Sequence, residues 1–147
     1  MAGFFYVLDT DARILFVDDD PILREFAQVN LASPHVEIDT AADGIEALER
    51  LAVTPYNLLL VDLEMPRLDG FGLLERLRAD PATASLPVIV QTGREDVEAI
   101  DRAFHLGATS FVTKPLNWRL LTYQIRFVLR SSRAELRLCS ATGSEAA

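Results

Sequence analysis

Cysteine is almost missing from this 147-residue chain: Cys139 stands alone. That excludes an intramolecular disulfide framework and suits a reducing compartment. Lysine is as scarce, because thirteen of the fourteen basic residues are arginine and only Lys114 is not. No apolar run approaches the roughly 20 residues of a membrane span. The first residues, Met1-Ala2-Gly3-Phe4-Phe5-Tyr6, lack the basic segment of a secretory signal. The cytoplasm is therefore the expected location, and no membrane contact is expected. Positive charge is also short, with a formal net charge of −8. Residues 1–116 hold nine Lys and Arg against twenty Asp and Glu, whereas residues 117–147 hold five Arg against two Glu. So acidic a body disfavours DNA, whose non-specific binding is phosphate neutralisation by Lys and Arg. The basic end is either a solvated helix face or a contact surface. Internal repeats, low-complexity segments and a second domain are absent from the pattern, and no helix-turn-helix segment remains.

What is present is a globular composition, half of it apolar, long enough for one domain with a sizeable core. The stretch Leu58-Leu59-Leu60-Val61 is wholly apolar and closes on Asp62, which reads as a strand buried on both faces. Similar short runs are Arg13–Val17, His35–Thr40, Leu86–Gln91 and Ala108–Val112. Amphipathic segments separate them. One follows Asp20-Pro21, an N-cap and first-turn pair, with Ile22, Leu23, Phe26, Val29 and Asn30 at helical spacing. The next follows Asp43-Gly44 with Ile45, Ala47, Leu48 and Leu51. Residues 71–79 use Phe71, Leu73, Leu74 and Leu77. Residues 95–106 place Val97, Ile100, Ala103 and Phe104 inward, with Gly107 as C-cap. The last helix runs from about Asn117 past Arg130. Strand and helix alternate five times, which implies an α/β fold with a parallel sheet covered on both faces.

Ligands in such folds collect at the carboxyl ends of the strands. Asp18 and Asp19, Asp62, Thr92 and Lys114 all fall at such ends. Carboxylates converging on one edge repel each other and call for a cation. Hard oxygen donors with open positions suit Mg²⁺, which often shares substrate phosphate oxygens. The one lysine supplies the compact charge that fits a phosphoryl oxygen.

Val17-Asp18-Asp19-Asp20-Pro21, Val61-Asp62-Leu63-Glu64-Met65-Pro66, Asp69-Gly70, Thr92-Gly93, Gly107-Ala108 and Lys114-Pro115 resemble, in order and spacing, the receiver domain of two-component response regulators of the chemotaxis-regulator type. The resemblance covers residues 13–131. Residues 1–12 read as an N-terminal extension, and residues 132–147 as a helix extension, tail or linker. The resemblance implies a flavodoxin-like, doubly wound, five-stranded parallel sheet of order 2-1-3-4-5 with five helices. It implies a signalling domain rather than an enzyme, with Asp62 taking phosphate from a histidine kinase or phosphotransfer protein. Asp19, Asp62 and the backbone carbonyl of Glu64 would ligate Mg²⁺ or Mn²⁺, and Asp18 would act through a bound water. Thr92 and Lys114 would hold phosphoryl oxygens, Phe111 would be the switch aromatic, and Lys114-Pro115 would be a cis peptide.

Three departures from the family pattern stand out. Glu64 puts a long anionic side chain two residues after the acceptor and is expected to change the lifetime of the acyl phosphate. Gly93 replaces a common alanine and leaves room in its loop. Phe111 lacks the tyrosine hydroxyl, so a switch there works by packing. Plainer roles exist for each element: helix capping for Asp18-Asp19-Asp20, a solvated strand end for Asp62, a turn for Thr92, a core aromatic for Phe111, and surface positions for His35 and His105. In the last helix, Leu121, Ile125, Val128 and Leu129 form one stripe. Leu120, Tyr123 and Phe127 form a second, which Ala134 and Leu138 would extend. One stripe suffices to pack on a sheet, so the second suggests a partner, either a homodimer through the last helix or a downstream effector. Two rival readings are a receiver-like module that is never phosphorylated and a Mg²⁺-dependent phosphohydrolase of haloacid-dehalogenase type. The latter fits poorly with the paired acids on the first strand, the short length and the missing cap domain.

Overall fold

The computed structural model describes residues 11–93 and 97–146, with side chains described up to residue 133. Residues 1–10 of the expected N-terminal extension, residues 95 and 96 of the fourth helical segment, and the side chains of Ala134, Leu138 and Cys139 lie outside that range. Five strands, Ala12–Val17 (β1), Val36–Ala41 (β2), Leu58–Asp62 (β3), Val88–Thr92 (β4) and Ser110–Thr113 (β5), form one sheet. Every pairing is parallel and the order is β2-β1-β3-β4-β5. The helices are Pro21–Leu31 (α1), Gly44–Val53 (α2), Gly70–Ala79 (α3), Val97–His105 (α4) and Trp118–Ala146 (α5). This is the parallel sheet covered on both faces that the alternation predicts, in the doubly wound order with five helices that the resemblance implies.

Strand β3 is central, and all five of its residues are buried. Its odd and even positions feed two cores. Leu58 and Leu60 pack with Phe16 and Ile89 under Ala27 and Leu31 of α1 and Leu121, Ile125, Val128 and Leu129 of α5. Leu59 and Val61 pack with Val17, Val88 and Val90 under α2, α3 and α4. Each such side chain contributes roughly 1.5–3 kcal/mol by leaving water. A run apolar at both parities is what a strand covered on both faces needs.

Aspartates start three of the helices. Asp20 Oδ1 accepts from Ile22 N at 2.9 Å, Asp43 Oδ1 from Glu46 N at 2.9 Å and Asp69 Oδ1 from Gly72 N at 2.8 Å. Each cap satisfies an amide that the helix cannot, worth about 1 kcal/mol. Gly107 ends the turn after α4 with φ at +108°, and its N–H donates to Phe104 O at 3.0 Å.

Two helix faces differ from expectation. On α1 the buried residues are Ala27 and Leu31, with Leu23 half-buried, while Ile22, Phe26, Val29 and Asn30 are exposed. On α4 only Ala103 is buried; Val97 and Phe104 face outward and Ile100 is intermediate. In both cases alanine occupies the sheet side, because helix and sheet approach closest over a small residue, and Ile22, Phe26 and Val29 on α1 and Val97 and Phe104 on α4 are left outside. The packed stripe of α5 is the expected one, and Leu120, Tyr123 and Phe127 of its second stripe are exposed.

Candidate functional site

The carboxyl ends of β1, β3, β4 and β5 make a single rim. Asp18 follows β1 and continues its ladder, with its N–H donating to Ala41 O at 3.0 Å. Asp62 is the last residue of β3 and Thr92 the last of β4. Lys114 follows β5, its N–H donating to Thr92 O at 2.8 Å, and the Lys114–Pro115 bond is cis.

These residues meet through their side chains. Lys114 Nζ lies 2.9 Å from Asp18 Oδ2 and 3.1 Å from Asp62 Oδ2. Asp18 is fully buried and Asp62 nearly so. Asp18 Oδ2 faces Lys114 as an ion pair, while Oδ1 accepts from Asp20 N at 2.9 Å. Asp62 Oδ1 accepts from Glu64 N at 3.2 Å. Asp19 is exposed on the open side, yet one oxygen from each of Asp18, Asp19 and Asp62 falls within 4.8 Å of the others.

The electrostatics follow from that crowding. Burial raises the Asp62 pKa above its ordinary 3.8, and the neighbouring Asp18 charge adds to the rise, against the lowering pull of Lys114. For Lys114, burial acts downward, but attraction to Asp18 and Asp62 prevails and its pKa is raised. Asp18 and Asp62 therefore share one lysine, and Asp19 adds a third carboxylate beside them. Oxygen donors from two strand ends, one of them open to solvent, form a donor set that fits a hard divalent cation.

Thr92 is buried. It shares a sheet face with Phe111, because Phe111 pairs with Val90, two residues before Thr92. Phe111 is turned partly outward, at 39% exposure, and meets Phe104 of α4 edge to face at 6.1 Å between ring centres. His35 and His105 are exposed.

The loop after Asp62 is tightly held. Leu63 N donates to Gln91 O at 3.1 Å and Gly70 N to Leu63 O at 3.1 Å. A Cβ on Gly70 would stand 2.6 Å from Asp62 O, so this approach requires glycine. Arg67 has φ at +64° and makes a bidentate ion pair to Asp43, Nε to Oδ2 at 2.8 Å and Nη2 to Oδ1 at 3.0 Å. Sequence reasoning found Asp43 as a cap but not its partner. The only sequence signal is an arginine directly after a proline in a loop. Gln91, in register with Asp62, was also missed: its side-chain amide is buried and has no hydrogen-bond partner among the described residues.

A family model described as response regulator receiver domain matches residues 14–126. The DNA-binding dual master transcriptional regulator RpaA of a Synechocystis species is 32% identical over 118 residues, covering 80% of this chain and 49% of RpaA. Response regulator MprA of Mycobacterium ulcerans is 35% identical over 123 residues, covering 84% of this chain and 52% of MprA. The chain thus spans about half the length of these relatives. Among solved structures, a CheY-like receiver domain protein from Methanospirillum hungatei superposes with a TM-score of 0.79 at 28% identity, covering 86% of this chain and 99% of that one. Chemotaxis response regulator CheY4 of Vibrio cholerae gives 0.76 at 28% identity, over 81% and 99%.

Proposed function

This chain belongs to the response regulator receiver domain family, and from that premise we propose that it is a phosphoacceptor whose acceptor is Asp62. The observation that carries the reading is the lysine held between two buried carboxylates from different strand ends, Nζ 2.9 Å from Asp18 and 3.1 Å from Asp62. The donor is a phosphohistidine on a histidine kinase or phosphotransfer protein. Ile22, Phe26 and Val29, exposed on α1, which starts just after the rim residues Asp18 and Asp19, offer that donor an apolar surface. An Asp62 carboxylate oxygen attacks phosphorus, the bond from phosphorus to the imidazole nitrogen breaks, and the imidazole leaves with the electron pair and takes up a proton.

Asp19, Asp62 and the Glu64 backbone carbonyl would hold Mg²⁺ or Mn²⁺, with Asp18 acting through a water. When bound, the cation supplies charge neutralisation between the carboxylates and the incoming phosphoryl oxygens. Lys114 then trades its ion pair with Asp62 for a phosphoryl oxygen. The Thr92 hydroxyl donates to another, and its displacement opens space into which Phe111 turns. The exposed Phe104, Leu120, Tyr123 and Phe127 line the α4–β5–α5 surface that this turn alters, and a second copy or an effector reads it there. Self-phosphorylation from small donors and autodephosphorylation are the only chemistry required of the chain. Among the described residues no helix is long and apolar enough to cross a membrane, in keeping with a cytoplasmic site of action.

Intact mass after incubation with a small phosphodonor and Mg²⁺, with Asp62→Asn alongside, tests this. One phosphoryl adduct on wild type and none on the variant is the expected result. Sizing of both samples then separates a dimer through α5 from a monomeric shuttle. An adduct on neither protein under any donor would overturn the acceptor role in favour of an unphosphorylated interaction module.

A further inference from the structure

The turn that follows the acceptor is strained. Leu68 N donates to Pro66 O at 2.7 Å across Arg67, whose φ is +64°. A three-residue turn with positive φ at its centre is rare, and rarer on a residue with a Cβ. Such strain persists only where surrounding contacts over-determine it. Here those contacts come from the start of α2. Both oxygens of the nearly buried Asp43 receive the Arg67 guanidinium, at 2.8 and 3.0 Å. Gly44 N donates to Leu68 O at 3.1 Å, and a Cβ on Gly44 would stand 2.5 Å from that same carbonyl oxygen. Arg67 is three residues from Glu64, and the segment between them, Met65-Pro66, leaves few free torsions. The position of the Glu64 peptide is therefore set from two ends, by Asp62 Oδ1 on its N–H at 3.2 Å and by the Arg67 anchor.

We propose that the Asp43–Arg67 ion pair is a positioning clamp for the cation site, fixing the loop so that the Glu64 carbonyl is preorganised towards Asp19 and Asp62. This rests on the metal-binding reading given above. Neither residue touches the cation; they act through the loop, as outer partners of metal ligands do. By linkage, a cation at the rim tightens the clamp as much as the clamp tightens the cation. The start of α2 is thus mechanically coupled to the phosphoacceptor site.

Calorimetric titration with MgCl₂ tests the clamp on wild type, Arg67→Gly, Asp43→Asn and the double variant. Glycine accepts the positive φ without strain, and asparagine keeps the N-cap while losing the charge, so both folds survive. Each single variant is expected to bind Mg²⁺ about tenfold more weakly. The double variant should be no weaker than either single, because both remove one interaction. The Mg²⁺ concentration for half-maximal phosphorylation should rise by the same factor. Unchanged affinity in both singles would overturn the clamp while leaving the acceptor reading intact. Losses that multiply in the double variant would also overturn it, since the residues would then act separately. A wild type that binds no Mg²⁺ would overturn the metal site and the clamp together.

Discussion

Replacing Lys114 by methionine keeps most of the stem volume and removes the cation that Asp18 and Asp62 share. The two contacts of 2.9 and 3.1 Å correspond to gross attractions of roughly 5 kcal/mol each at an effective dielectric constant near 20. Desolvation of the three groups offsets most of this. Breaking a buried pair by removing one partner costs about 3–5 kcal/mol. Because the Lys114 side chain is 23% exposed and water reaches the rim, the low end applies. The metal-free Lys114→Met protein is expected to lose about 3 kcal/mol near neutral pH, with Tm lower by about 10 °C. The pH dependence has a definite sign. The folded-state pKa of Asp62 already lies above its ordinary 3.8, so its contribution to stability is full below that value and is lost as pH rises through the raised one. Without Lys114 the main lowering influence disappears and the pKa climbs further. The deficit should therefore shrink as pH falls towards about 4 and the Asp62 carboxyl takes up a proton, and Mg²⁺ should close it near neutrality. Urea unfolding in EDTA and in Mg²⁺, at both pH values, reads this directly. A neutral-pH deficit below about 1 kcal/mol, or one equal at both pH values, would refute the assignment of Lys114 as the compensating charge.

Two further outcomes follow from exposed or open positions. Nothing lies within 4 Å of a Cβ built on Gly93, and its φ is not in the left-handed region. Gly93→Ala should stabilise the protein by about 0.4–1 kcal/mol through the unfolded chain; a lower Tm would show that this loop needs the glycine. Phe127 is 70% exposed, so Phe127→Arg should change stability by less than about 0.5 kcal/mol yet abolish any phosphorylation-dependent dimer, and dimerisation that survives it would move the interface away from α5.

Element order was legible because β3 and β4 are apolar at both parities and because Asp20, Asp43 and Asp69 mark helix starts, whereas the strand order came only with the resemblance to receiver domains. The rim was legible because its polar residues each close an apolar run. Helix faces were less so. Periodicity picks out large apolar residues, and α1 carries two adjacent sets; the sheet selected the one centred on Ala27, which hydrophobicity ranks low but close approach favours. The same happened on α4 with Ala103. The Asp43–Arg67 pair joins residues 24 apart, and a single sequence records no such pairing. The length of α5, reaching Ala146, was equally unreadable, since Ser140, Thr142, Gly143 and Ser144 near its end are weak helix formers.

The placement of Asp62 at the end of β3 has a consequence for how the domain can move. Strand β3 is hydrogen-bonded to β1 on one side and β4 on the other and is buried throughout. Amides in such a strand exchange with solvent only when the whole domain opens. Asp62 thus sits on the part of the molecule least able to fluctuate. On the phosphoacceptor reading, charge arriving at Asp62 would meet a fixed point, and the response would be expressed by the periphery moving relative to it. Hydrogen exchange should accordingly leave Leu59–Val61 unaltered by phosphorylation while protection redistributes across β5 and α4.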